Sequence, residues 1–200
     1  MANSRQAFLD RLAHLGVIAA IKEPKHFETA LGLKDQLSGV FLMTGNIGVI
    51  KRYTDLFHEH DLPVFLHLEK IGGLCTDAYG LDYLAKTVRP TGVVTTKTSV
   101  VKTAQKLGLI TIQRFFLVDT EGLDNIAKSI ESVRPDIIEV MPARIPEMIG
   151  RVKEMTNIPI ITGGLLYEWE HAEACFRQGT TAVSSSKPEL WRRPAHMPSK

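Results

Sequence analysis

The sequence predicts a single-domain (β/α)8 barrel of the TIM type. Three observations carry this: eight short apolar runs rich in Val and Ile, helical patterns between them, and a spacing of about two dozen residues from one run to the next. The runs stay apolar without strict alternation, which suits strands of a parallel sheet buried on both faces. In order they are GVIAAIK from Gly16, GVFLMTG from Gly39, PVFLHLE from Pro63, TGVVTTK from Thr91, LITIQRFF from Leu109, PDIIEVMP from Pro135, IPIITGG from Ile158 and TAVSSS from Thr181. After the second run, Ile47, Ile50, Tyr53, Leu56 and Phe57 form one stripe at helical spacing; after the fifth, Leu123, Ile126, Ile130 and Val133 do the same. A doubly wound open sheet calls for strand-poor ends and a longer crossover, and the chain has neither. The barrel is expected over residues 1–191, with 192–200, which hold two prolines and no apolar periodicity, as a loose tail.

Composition narrows the class without pointing to a partner. Of 200 residues, 44% are hydrophobic and 23% charged, as in ordinary globular proteins, and the net charge of +2 announces no polyanion-binding surface. The opening MANSRQAFLDRL has no apolar signal-peptide core and no run approaches the length of a membrane span, so the chain is expected in the cytoplasm, away from membranes. Cys75 and Cys175 stand far apart, which supplies neither a zinc knuckle nor a disulfide framework. HEH at 58–60 lacks the HExxH spacing of a zinc protease and reads as a solvated helix end. No metal and no cofactor are expected. Oligomeric state leaves no mark in the sequence.

A faint internal echo supports the barrel. IGGL at 71–74 returns as TGGL at 162–165, and TTKTS at 95–99 as SSSKP at 184–188, with offsets of 91 and 89 residues. A half-barrel repeat produces such a pattern.

Ligands of this fold sit at the C-terminal ends of the strands, and phosphate is often held by the loops after strands seven and eight. Gly163 and Gly164 end the seventh run, where backbone N–H groups can approach an anion, and Ser184, Ser185 and Ser186 end the eighth with hydroxyl donors. Either motif alone also reads as a tight turn or a serine cap; the two together at these strand ends favour an anion clamp. Strand alternation adds polar residues facing into the barrel: Lys22 ends the first strand, His67 and Glu69 share a face of the third, Lys97 ends the fourth, Gln113 lies inside the fifth and Glu139 inside the sixth; His67, one position below the mouth, reads as structural. Two lysines would then face two carboxylates around one mouth, paired with each other or with a ligand. Arg114 has two expected uses, contact with an anionic ligand or pairing with Asp119.

TTKTSVVKTAQKLGLITIQRFFLVD, PDIIEVMPARIPEMI, IPIITGGLL and AVSSSKPELW together resemble the glycerol-3-phosphate responsive antiterminators, from about Val17 to Trp191, with Gln113 to Leu117 and Leu190-Trp191 the most specific stretches. The resemblance implies a barrel that senses sn-glycerol 3-phosphate and, when loaded, binds the leader mRNA of glycerol-utilisation operons, so that transcription passes a terminator. It implies no turnover. In that setting Gly163, Gly164, Ser184, Ser185 and Ser186 take the phosphate, Lys22, Lys97 or Arg114 its charge, and Glu69 and Glu139 the glycerol hydroxyls. The chain departs from the family pattern at Glu69, Ala143-Arg144, Tyr167 and Lys187, where the family has Asp, Gly, Arg and Asn; Arg144 or Lys187 is the expected replacement for the missing Arg. The competing class is an enzyme of isomerase or aldolase type acting on a triose phosphate, with Glu as base or Lys as Schiff-base former.

Overall fold

A computed structural model describes residues 2–194, with side chains from residue 5; residues 195–200 of the expected tail lie outside the described part. Eight parallel strands close into a barrel in chain order: β1 (Val17–Ile21), β2 (Gly39–Leu42), β3 (Val64–His67), β4 (Gly92–Thr95), β5 (Ile110–Phe116), β6 (Ile137–Met141), β7 (Ile160–Gly163) and β8 (Ala182–Ser185), with β8 pairing back onto β1. Every one falls within its apolar run.

The helices reach the expected number by another route. A helix α1 (Ala2–Leu15) precedes the first strand, whereas among the described residues β8 is followed only by the 3-10 turn Pro188–Leu190. Between strands lie α2 (Phe27–Leu31), α3 (Ile50–His58), α4 (Ala78–Tyr83), α5 (Thr98–Lys106), α6 (Thr120–Ser132), α7 (Pro146–Met155) and α8 (Trp169–Arg177). The stripe after β2 is shorter than its sequence pattern, because Ile47 precedes α3 and is exposed. Asp119 caps α6 by accepting from Gly122 N at 3.1 Å, so it does not pair with Arg114. No helix among the described residues is long and apolar enough to cross a membrane.

Alternate strand residues fill two separate cores. Ile18, Phe41, Phe65, Val94, Ile112, Ile137, Ile161 and Ala182 meet inside the barrel, while Val17, Val40, Leu66, Val93, Val140, Ile160 and Val183 face the helices. Gly92 belongs to the inner set because a Cβ there would lie 2.7 Å from the Phe65 ring and 2.2 Å from the Ile110 carbonyl oxygen. The N-terminal end of the barrel is closed by α1, whose Phe8 and Leu12 join the inner core, Phe8 stacking on Phe65 with ring centroids 4.6 Å apart. Arg5 pairs with Asp136 at the start of β6, and Arg11 donates to the carbonyls of Lys34 and Leu37 ahead of β2. The chain after β8 is held at the opposite end: Trp191 is fully buried, and its Nε1 donates to the Ser185 carbonyl at 2.7 Å.

Candidate functional site

The inner register decides which charged side chains meet. Ile110 and Ile112 point inward on β5, so Arg114 does as well, while Gln113 points outward, donating to the Thr98 hydroxyl at 2.8 Å and accepting from that of Ser129 at 2.5 Å. This reverses the expectation for Gln113: a run apolar on both faces does not mark which parity is inner. On β6 the inward residue beyond Ile137 is Glu139, opposite Arg114 in the ladder. Arg114 Nε donates to Glu139 Oε2 at 2.7 Å, and the Ser184 hydroxyl donates to Glu139 Oε1 at 2.7 Å. All three are buried. A carboxylate this deep is tolerated because both of its oxygens accept hydrogen bonds and its charge is matched.

Above this network opens a cleft of about 280 Å³, walled by the ends of β1, β2, β5 and β6 and by the loops after β7 and β8. Its cations are Lys22, Arg114 and Lys187; its other polar residues are Ser184, Ser185, Ser186 and Tyr167; Ala20, Met43, Met141, Leu165 and Leu166 supply apolar surface beside Gly164. No carboxylate lines it among the described residues. Gly164 has φ +72°, and a Cβ there would lie 2.9 Å from Met141 Cε; Leu165 follows at φ +53°. Gly164 takes this conformation at no steric cost, but Leu165 carries a Cβ and is strained there, and such strain is concentrated where backbone faces a ligand. Among the described residues the backbone N–H groups of Leu165, Leu166 and Ser186 donate to no backbone carbonyl outside the strand ladders. Lys187 Nζ lies over the Tyr167 ring, 4.4 Å from its centroid, which fixes one wall.

Of the ten candidates read from the sequence, six line this cleft: Lys22, Arg114, Gly164, Ser184, Ser185 and Ser186. Gly163 stands behind them, glycine because a Cβ would fall 2.2 Å from Ser184 Oγ. Ser185 turns its hydroxyl to accept from Lys187 N at 3.1 Å, shaping the loop. Glu139 lies beneath the floor, its oxygens taken by Arg114 and Ser184. Glu69 and Lys97 are elsewhere, around a shallow depression with Cys75, Thr76 and Asp77. The third strand stops at His67 and the chain turns through a 3-10 segment, Leu68–Lys70, so alternation no longer places Glu69 in the barrel.

Glu69 instead accepts from the Thr95 hydroxyl at 2.5 Å and from Thr96 N at 3.3 Å, and its Oε2 lies 3.1 Å from His67 Nδ1 at an angle outside hydrogen-bond geometry. Partial burial pushes its carboxyl pKa up, but His67, the Thr95 hydroxyl and a backbone hydrogen bond outweigh burial and hold it at about 2. Lys97 Nζ donates to the Thr76 hydroxyl at 3.2 Å. Arg144, an expected replacement for the missing arginine, is turned onto His171, its Nη1 2.6 Å from Nε2, whereas Lys187 lies in the cleft wall. The apolar walls Met43 and Met141 escaped the sequence reading, although each extends the inward parity of its strand.

The residues that shape this cleft fall inside a family match covering residues 17–191, described as glycerol-3-phosphate responsive antiterminator. The chain belongs to this family. The glycerol uptake operon antiterminator regulatory protein of Listeria monocytogenes has the same fold at a TM-score of 0.83 and 28% identity, over 88% of this chain and 94% of that one. An antiterminator-related protein of Thermotoga maritima superposes at a TM-score of 0.75 and 23% identity, over 88% and 97% of the two chains. The uncharacterized protein YgcP of Escherichia coli K12 is 29% identical over 175 residues, 88% of this chain and 91% of its own length.

Proposed function

We propose that this family member senses sn-glycerol 3-phosphate in the cleft at the mouth of its barrel and, when loaded, binds the leader mRNA of glycerol-utilisation operons to let transcription pass a terminator. The observation that carries the reading is the charge of the cleft: Lys22, Arg114 and Lys187 line it with no carboxylate among them. Arg114 is matched by Glu139, so an anion is what the two remaining lysines call for. The phosphate sits against Gly164–Leu166 and Ser186–Lys187, and the glycerol carbons lie along Met43 and Met141. An enzyme would need its base or amine exposed to substrate in an activating environment. Glu139 has both oxygens occupied beneath the floor, and Lys22 is exposed to solvent. The regulator therefore accounts for the residues better than a triose-phosphate isomerase or aldolase.

Thermal unfolding tests this directly. Glycerol 3-phosphate at ~100 Kd should stabilise the protein by ~2.7 kcal/mol, with glycerol at the same concentration leaving the melting temperature unchanged. Ser186→Asp, which places a carboxylate in the cleft, should retain the fold and lose the response. Equal shifts from glycerol and its phosphate, or steady consumption of glycerol 3-phosphate by the wild type, would overturn the proposal.

A further inference from the structure

Large exposed apolar side chains are not scattered over this molecule. Of the eight among the described residues, Ile47, Tyr79, Phe116, Val118, Ile145, Leu165 and Tyr167 lie at strand ends or in the connections that follow β2, β3, β5, β6 and β7, at the mouth end of the barrel; Met155, at the end of α7, is the exception. Next to Phe116, 55% exposed, and Val118, 83% exposed, a groove of about 500 Å³ runs between the end of β5 and α6. It is open to solvent on one side and touches Arg114 on the other, so one residue of β5 contributes to both this groove and the effector cleft. Its polar lining includes Thr96, Asn125, Lys128 and Ser132, and the Asn125 and Lys128 side chains make no hydrogen bond or ion pair among the described residues.

We infer that this groove seats one unpaired base of the leader RNA. The assignment rests on the regulator reading and adds where the RNA is held. An exposed phenyl ring offers a stacking face, an uncommitted carboxamide offers both a donor and an acceptor to a base edge, and an unpaired ammonium one helical turn away offers a partner to the flanking phosphate. These three functions together are what a single-stranded nucleotide needs. A protein partner would have to bring an acidic group to Lys128 and a separate apolar face to Phe116, whereas a single-stranded nucleotide carries both in one unit. The acidic residues of α6, Glu121, Asp124 and Glu131, do not line the groove. Arg114 contributes to both cavities, so an effector bound against it bears on the strand that walls the groove, and any coupling between the two ligands is reciprocal.

The test is a fluorescein-labelled transcript of the glycerol-uptake leader from the encoding genome, titrated by anisotropy at saturating glycerol 3-phosphate, beside effector titrations without RNA. Phe116→Ala and Asn125→Ala should each weaken RNA binding at least tenfold and leave effector affinity within about twofold. Lys128→Ala should lower the slope of log K against log salt by ~0.7, one phosphate contact to a single strand. A 4-thiouridine-substituted transcript should crosslink within residues 114–132. Wild-type RNA binding with all three variants unaffected, or crosslinks confined to the opposite end of the barrel, overturns the groove alone. Failure of the wild type to bind the leader at any effector concentration overturns the regulator reading and the groove with it. A dimer that buries Phe116 in solution also overturns it, by assigning the apolar rim to a second copy.

Discussion

Glu139 serves two partners at once: it neutralises Arg114 through one oxygen and orients the Ser184 hydroxyl through the other. Its removal is felt inside the protein before any ligand arrives. Glu139→Gln keeps the shape and one acceptor but leaves a buried guanidinium without its counter-charge, and should cost about 3 kcal/mol of stability in urea unfolding. Effector affinity should respond less, because the freed Arg114 gains attraction for phosphate as it loses positioning. A variant as stable as the wild type would show that the pair contributes nothing net. That Glu139 and Arg114 face one another follows from their ladder register, but the sequence did not separate Arg114 from Gln113, since both neighbours on β5 are flanked by apolar residues and burial on both faces hides which is inner.

At the scale of single elements, the 3-10 turn after β3 shows why strands were more legible than the loops that follow them. Strand runs announce themselves because a parallel sheet between a packed interior and a shell of helices demands apolar residues on both faces. Alternation then predicts direction only while the strand lasts. His67 obeys it; Glu69, two residues on, lies in the turn and bonds to Thr95 and Thr96. The expectation of two carboxylates at the mouth failed for that reason and for the burial of Glu139. The turn has its own pH signature. Because the Glu69 carboxyl is held at about 2 in the folded chain, below its ordinary value near 4.5, its ionised form stabilises the fold fully above that ordinary value, and this contribution drains away as pH falls from about 4.5 toward 2. The stability difference between wild type and Glu69→Gln should therefore be constant from pH 5 to 7 and shrink below pH 4.5. Denaturant midpoints across that range measure it, and a difference that grows on acidification contradicts the assignment.

For the whole molecule, the sequence echo between the two halves of the barrel has one counterpart in the structure. Thr95 Oγ1 accepts from Lys97 N, and Ser185 Oγ from Lys187 N, each at 3.1 Å and 90 residues apart. The corresponding lysines diverge: Lys187 walls the effector cleft, while Lys97 is bound to Thr76. The glycine echo at 71–74 and 162–165 is looser, because Gly163 lies in β7 whereas Gly72 comes after the turn that follows β3. The end of the barrel opposite the cleft depends on α1, which the eight-unit reading passed over because this helix precedes the first strand, although Phe8, Leu9 and Leu12 stand at helical spacing. Truncating Phe8 to Ala empties the space beneath Phe65 and should cost about 3–5 kcal/mol, read as a lower melting temperature with effector affinity retained. A loss of effector binding without loss of stability would mean that the two ends of the barrel are coupled more tightly than their packing suggests.

The plug at one end and Trp191 at the other have a practical consequence for anyone immobilising the protein or fusing it to a reporter. A linker joined ahead of α1 leaves from the closed end of the barrel, with the packed inner core between it and the cleft, and an immobilised molecule then presents its mouth to solution. A linker joined after Trp191 begins where the indole is bonded to Ser185, itself a residue of the cleft wall. A fluorophore there would sit close enough to report occupancy and to obstruct it, so a sensor for small molecules should be tethered at the first end and its dye placed with care at the second.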